Sequence, residues 1–418
     1  MLEKAYPKIH ERVMMDTLAN GLRVCVIPKE GFTKAYAQLS VHYGSIDARF
    51  DAGAGEIVPP KGVAHFLEHK VFEQPDGGNA LAIFASTGAS PNAFTSKTMT
   101  AYHFSCTDRF ERNLEILLDF VSTPHFTDEN VAKEQGIIGQ EIGMVNDRPH
   151  FRVYENLMAA LYSAHPAKDS IIGTVESIAQ IDRHVLSDCY RMFYTPSNMV
   201  LTVAGDVDAA RIIRTAESML PSRYIAPPTR DYGAEPEEPA QREVEERMEC
   251  SLPIVAAGFK LAAETEGEAG MRLRLIAALS CEVLFGESSP FYAEAYHDGL
   301  INQGFGAEPM FFPDSAAVMI SGESRDPEEI VRRILAVSTK LDDAYFSRVK
   351  RAMFGARLRQ FDYFSALCRE VASAEFSGYH YFDSFAVFEK IEKSDIIEFA
   401  SRLFVPQRMA VSKILPKS

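Results

Sequence analysis

A chain of 418 residues is too long for one ordinary hydrophobic core and suits two domains of about 200 residues each. Its 46% hydrophobic and 24% charged residues describe a globular protein, and no apolar run approaches the roughly 18 residues that would span a bilayer. The formal net charge of −15 argues against nucleic-acid binding through the overall field and accommodates a basic or neutral partner more readily.

The N-terminus is polar and broken by Pro7. It lacks the apolar stretch of a secretory signal, which predicts a protein retained where it is made. Asn20-Gly21, in "TLANGLRVCVIPK", predicts a hairpin turn between two strands. A further strand is expected over Ala35–Ser45. Helices follow, one starting near Gly62 and one ending near Gly88. "NAFTSKTMTAYHFSC" predicts a strand pair, and "RFERNLEILLDFVSTP" a helix that stops before Pro124. Thr127 is a suitable N-cap for the next helix, with Asp128 and Glu129 in its first turn. "NMVLTVAGDVD" predicts a strand leading through a turn into a helix. Between Ile225 and Glu246 the chain turns acidic and proline-rich without an apolar period, which predicts a flexible linker. A strand is expected to resume by Ile254, and a similar alternation of strands and helices fills the rest. The halves are similar in length, so we expect a duplicated α+β unit.

Six scattered cysteines, Cys25, Cys106, Cys189, Cys250, Cys281 and Cys368, form no C-x-x-C pair. That argues against a disulfide framework and a thiolate zinc site, and points to a reducing, cytoplasmic compartment.

The stretch "KGVAHFLEHKVF" carries the chemistry. On a helix, His69 lies about 40° and Glu68 about −60° from His65, so all three fall within an arc of roughly 100°. Val63, Ala64, Phe66, Leu67 and Val71 fill much of the opposite side. Two neutral imidazoles at i and i+4 can reach one tetrahedral zinc, and a carboxylate beside them can take a proton from water that the metal acidifies. H-x-x-E-H is a zinc-site order in its own right. Two ligands are too few. Glu134 and Glu141, seven apart in "KEQGIIGQEIGM", lie within about 20° on one helix face, so one could ligate while the other supports it. Gly136, Gly139 and Gly143 in that helix predict a closely packed neighbour or an irregular helix.

With this pair in view the chain resembles the pitrilysin, insulinase and mitochondrial-processing-peptidase family of zinc endopeptidases, in its short two-domain bacterial branch. "GVAHFLEHKVFE", "GASPNAFTSKTMTAYHF", "KEQGIIGQEIGM", "IIGTVESIAQI" and "FYTPSNMVLTVAGDVD" carry the resemblance and cover most of residues 15–210. It implies that His65, His69 and Glu141 bind Zn2+, that Glu68 is the catalytic base, and that Glu134 supports the site. It further implies that Asn92, Ala93 and Phe94 lie on an edge strand to which a peptide substrate adds as an extra strand. Active members complete the site with an arginine and a tyrosine from the C-terminal half. The corresponding stretch, Gly299–Ser324, holds neither, although Tyr292, Tyr296 and Arg325 border it.

The expected fold is α+β: two similar domains, each a largely antiparallel sheet with helices packed on one face. Their bounds are 1–225 for the zinc-binding catalytic domain, 226–246 for the acidic linker, and 247–418 for a related domain without the motif. The expected activity is zinc-dependent cleavage of peptides or unfolded polypeptide inside an enclosed chamber, by a homodimer or a heterodimer with a related subunit. The alternative is a zinc-containing subunit that needs a partner to supply the Arg/Tyr pair.

Overall fold

The computed structural model describes residues 1–417 except Ala52, Ala54 and Asp76. They form two units. The first comprises Met1–Ile142, Ser170–Asp231 and Leu358–Phe376, and the second Gly143–Asp169, Tyr232–Arg357 and the residues from Ser377 on. Each is discontinuous, whereas the sequence reading placed two continuous domains on either side of a linker.

The main sheet of the first unit has seven strands: β1 (Leu2–Tyr6), β2 (Glu11–Thr17), β3 (Arg23–Pro28), β4 (Ala35–Val41), β7 (Ser90–Thr95), β8 (Thr100–Cys106) and β9 (Met199–Gly205). Their order is β1-β2-β3-β9-β4-β8-β7, antiparallel except for the β3–β9 pair, and β7 is an edge. The Asn20-Gly21 turn joins β2 to β3 as predicted, with Gly21 at φ 89°. A small second sheet joins β5 (Phe50–Asp51), β6 (Glu56–Ile57) and β10 (Thr229–Arg230).

Every residue of β4 and β9 is buried. Such continuous burial requires cover on both faces of the sheet. One face carries Leu39 and its cross-strand partner Tyr102, whose ring meets Phe72 and Phe120 at 5.8 and 5.7 Å. That face packs against α1 (Val63–Val71) and α3 (Phe110–Ser122), with α2 (Ala80–Thr87) lying against α3. The other face packs against the helix Phe364–Phe376, where Cys368 bonds Thr202 and Phe376 stacks on His42 at 4.5 Å. This helix comes from the C-terminal half of the chain.

The second unit repeats the pattern with five strands: β11 (Glu243–Met248), β12 (Ile254–Ala262), β13 (Gly306–Phe312), β14 (Ser315–Glu323) and β15 (Met409–Pro416), in the order β11-β15-β12-β14-β13. Val255, Ala257, Phe259 and Leu261 of β12 form a core with Ala277, Cys281, Leu284 and Phe285 of the helix Gly267–Phe285. The opposite face lies under α5 (Pro149–Leu161), a helix from the N-terminal half. A Cβ on Gly258 would stand 2.8 Å from Leu161 Cδ1 and 3.0 Å from Leu157 Cδ1, so α5 approaches β12 as closely as it does because this residue has no side chain.

The chain passes from the first unit to the second between Asp231 and Tyr232, inside the segment Ile225–Glu246 read as a linker, and that segment carries structure of its own. It contains β10, paired with β5, and the start of β11, paired with β15. Between them Glu235 accepts from the backbone N–H groups of Ser163, Ala164 and His165 and from Lys260 Nζ at 2.6 Å. Lys260 is 1% exposed and also donates to the carbonyls of Leu161 and Glu238. Acid-rich composition here supplies partners for buried cations rather than solvation. Among the described residues, no helix is long and apolar enough to cross a membrane.

Candidate metal centre

The helix α1 begins where Gly62 takes the left-handed conformation, φ 91°, against the carbonyl of Ile172. It buries Val63, Ala64, Phe66, Leu67 and Val71 and leaves Glu68 and His69 only part-buried. His65 is 7% exposed. The two imidazoles lie 4.6 Å apart, centroid to centroid. α4 (Asp128–Asn146) supplies the carboxylates. It starts as predicted, with Thr127 Oγ1 accepting from Asn130 N–H at 3.1 Å and Asn130 Oδ1 accepting from Thr127 N–H.

Glu141 reaches both histidines: its two oxygens lie 3.8 Å from His65 Nε2 and 3.8 Å from His69 Nε2. The three side chains offer ligand atoms within 4.8 Å of one another, the only such group among the described residues. Ligands around a tetrahedral zinc stand about 3.4 Å apart, given bond lengths of about 2.0–2.1 Å. The two 3.8 Å separations between Glu141 and the histidines exceed that by a few tenths of an ångström, and a set of two imidazoles and a carboxylate suits a divalent ion of the zinc type. His65 Nδ1 is buried and has no hydrogen-bond partner among the described residues.

Glu134 takes a different position. It is 7% exposed, and its Oε1 lies 3.0 Å from His69 Nδ1. Accepting there fixes the tautomer that leaves the Nε2 lone pair facing Glu141. Burial works to raise the Glu134 carboxyl, but His69 and Lys70 outweigh it and hold it below its ordinary value. Burial, with His69 beside it, pushes His65 down to about 3, so it is neutral. Burial also disfavours charge on His69, yet Glu134, Glu68 and Glu141 together raise it. Burial raises the Glu68 carboxyl, opposed by Thr95, whose Oγ1 donates to Glu68 Oε2 at 2.7 Å.

Asn92, Ala93 and Phe94 lie on β7, which among the described residues pairs only with β8, opposite His103, Tyr102 and Ala101. The same strand therefore offers a free edge and, through Thr95, touches Glu68. Asn92 is exposed and its Oδ1 accepts from the next N–H, Ala93, while the Phe94 ring is 6.3 Å from His103.

The three glycines of α4 do not mark a close approach. A Cβ at Gly136, Gly139 or Gly143 would meet nothing within 4 Å, α4 is helical throughout, and Ile137 beside Gly136 is 45% exposed. They lie on the open side of the helix, away from Glu134, Ile138 and Ile142. In the second unit, Tyr296 and Arg325 line one cavity of about 740 Å³ together with Asn302 and Glu323.

Two residues of the site were missed. Thr95 carries no local signal, since its role depends on where β7 ends. Lys70 does carry one: it lies about 140° from His65, among Val63 and Phe66 on the apolar side, where a lysine is out of place.

Known proteins match this architecture. A family model described as "Insulinase (Peptidase family M16)" matches residues 23–175, and one described as "Peptidase M16 inactive domain" matches residues 180–353. Over 423 residues the chain is 36% identical to the zinc protease YmfH of Bacillus subtilis (strain 168), covering 99% of each. An M16-like peptidase from Alicyclobacillus acidocaldarius superposes with a TM-score of 0.92 at 32% identity, covering all of both chains. A protease from Helicobacter pylori shares the fold at 18% identity, with a TM-score of 0.82 over 97% of this chain and 100% of its own. Full-length identity at this level, with both family models in order along the chain, makes this protein a member of the insulinase family, peptidase family M16.

Proposed function

We propose that the protein is a zinc-dependent endopeptidase of peptides and unfolded segments, with His65, His69 and Glu141 as ligands and Glu68 as general base. The observation that carries this reading is the convergence of three ligand atoms within 4.8 Å, from two helices well separated in sequence. Zinc held there would supply Lewis acidity towards a peptide carbonyl and make water easier to deprotonate. Glu68 accepts that proton and returns it to the leaving amine; its raised carboxyl suits a group that must both take and give. Thr95 holds Glu68 in place, and Glu134 orients His69. The free edge of β7, at Asn92, Ala93 and Phe94, accepts substrate by main-chain hydrogen bonds, which requires an extended chain and favours peptides and unfolded segments. An enclosed chamber, implied by the family resemblance, would act in the same direction. The six cysteines are all unpaired, in keeping with the cytoplasm.

The test is Glu68→Gln in the full chain, assayed with a quenched fluorescent peptide library alongside zinc analysis. We expect cleavage to fall by about 10²–10⁴-fold with zinc retained. Undiminished cleavage by this variant refutes the assignment. A second reading, a subunit that depends on a related chain, is favoured by the lack of Arg and Tyr in Gly299–Ser324. It predicts an inert purified chain that gains activity when mixed with such a relative.

A further inference from the structure

Lys70 is 0% exposed, on the apolar side of α1, one residue from His69. Burying an ammonium is costly unless charged partners meet it. Two do. Glu73, one turn along the chain, lies 2.5 Å from Lys70 Nζ and is itself part-exposed. Glu134 on α4 lies 3.4 Å away. The Glu73 pair alone gives no reason for burial, because a lysine and a glutamate at i and i+3 can meet at the surface. The contact with Glu134 does. Glu134 uses one oxygen, Oε1, for His69 Nδ1 and the other, Oε2, for Lys70. With both ends engaged, the carboxylate cannot rotate away from the imidazole without abandoning a buried cation.

We infer that Lys70 is a positioning residue for the metal centre: its charge holds Glu134 in the orientation that aims His69 Nε2 at the shared ligand position. The inference rests on the zinc-site reading above and adds to it a residue that touches neither metal nor substrate. Lys70 acts through Glu134, and Glu134 through His69. A lysine that merely tied α1 to α4 would contribute to folding and leave zinc affinity to the ligands.

The experiment is zinc affinity, measured on full-length protein by competition with a chromogenic chelator, with far-UV circular dichroism melts on every sample. The set is wild type, His65→Ala, Lys70→Met, Glu134→Ala and Glu134→Ala/Lys70→Met. Outer partners of metal-bound histidine contribute about 10–100-fold to affinity, so Lys70→Met should bind zinc at least about 10-fold more weakly than wild type. In the Glu134→Ala background the same change should alter affinity by less than about 2-fold, because the route to His69 is already cut. Unchanged zinc affinity in Lys70→Met overturns the inference, and so does a full second loss in the double variant. If Lys70→Met does not fold, the comparison of Glu134→Ala with the double variant still decides. A folded single variant beside an unfolded double variant would show that the fold needs Lys70 independently of Glu134, and would also overturn it. Wild type and His65→Ala separate the two levels: no zinc in wild type, or full zinc in His65→Ala, sinks the metal site itself.

Discussion

Replacing Glu235 by glutamine should destabilise the second unit out of proportion to its place in an acidic, proline-rich stretch. Glu235 has a side chain 9% exposed and is the counter-ion of Lys260, itself 1% exposed. The substitution leaves Lys260 with the carbonyls of Leu161 and Glu238, at 2.7 and 2.9 Å, and the Tyr162 ring at 5.3 Å, but with no negative charge. Breaking a buried ion pair from one side costs about 3–5 kcal/mol, and the remaining acceptors place this case near 3 kcal/mol. At roughly 2–4 °C per kcal/mol, the unfolding midpoint should fall by about 6–12 °C. The assay is thermal unfolding of the full chain by far-UV circular dichroism, with Glu235→Gln/Lys260→Met as control, which removes both charges and should recover most of the loss. A shift under about 2 °C, or an equal loss in the control, refutes the reasoning. The pH dependence has a defined sign. Burial works to raise the Glu235 carboxyl, but Lys260 and the three N–H groups outweigh it and leave it below its ordinary value. Its folded pKa therefore lies below the unfolded one, near 4.3. The contribution is complete above that value and is lost as pH falls through the folded pKa, so wild type should lose its advantage over Glu235→Gln on the acid side only.

Thr95→Val removes the hydrogen bond to Glu68 and should lower kcat by about 10-fold or more with zinc content unchanged, since bonds to charged groups contribute about 1.5–3 kcal/mol. Asn92→Ala should raise KM by about 2- to 10-fold at constant kcat if β7 receives substrate, which steady-state kinetics on a fluorogenic peptide will show. Gly62→Ala forces a side chain into the left-handed region and against Ile172 O, 2.7 Å from the new Cβ. It should destabilise the chain by at least about 1–2 kcal/mol in urea unfolding and weaken zinc binding, because it displaces the start of α1.

How far the sequence could be read depended on whether a feature is local. The His65, Glu68 and His69 face follows from helix period alone, and the seven-residue step from Glu134 to Glu141 does too. Glu134 and Glu141 nevertheless occupy different places, one beside His69 Nδ1 and the other level with the two Nε2 atoms, and that depends on how α4 lies against α1. The exchange of α5 and of Phe364–Phe376 between units was illegible, because amphipathic period tells a helix that it must be covered and not by which sheet. In the segment Ile225–Glu246 composition told where the chain passes between units, but not that Glu235 meets the buried Lys260. The three glycines of α4 face open space, and nothing in the structure explains them.

The helix Phe364–Phe376 has a consequence for biosynthesis. A ribosome finishes every strand of the first sheet by about residue 205, yet the helix that seals one side of β4 and β9 emerges more than 150 residues later. Until then the nascent chain leaves the normally buried face around Tyr36, Gln38 and His42 open to solvent, so a protein truncated after Asp231 should precipitate or recruit chaperones, and adding the Leu358–Phe376 peptide in trans should rescue its solubility.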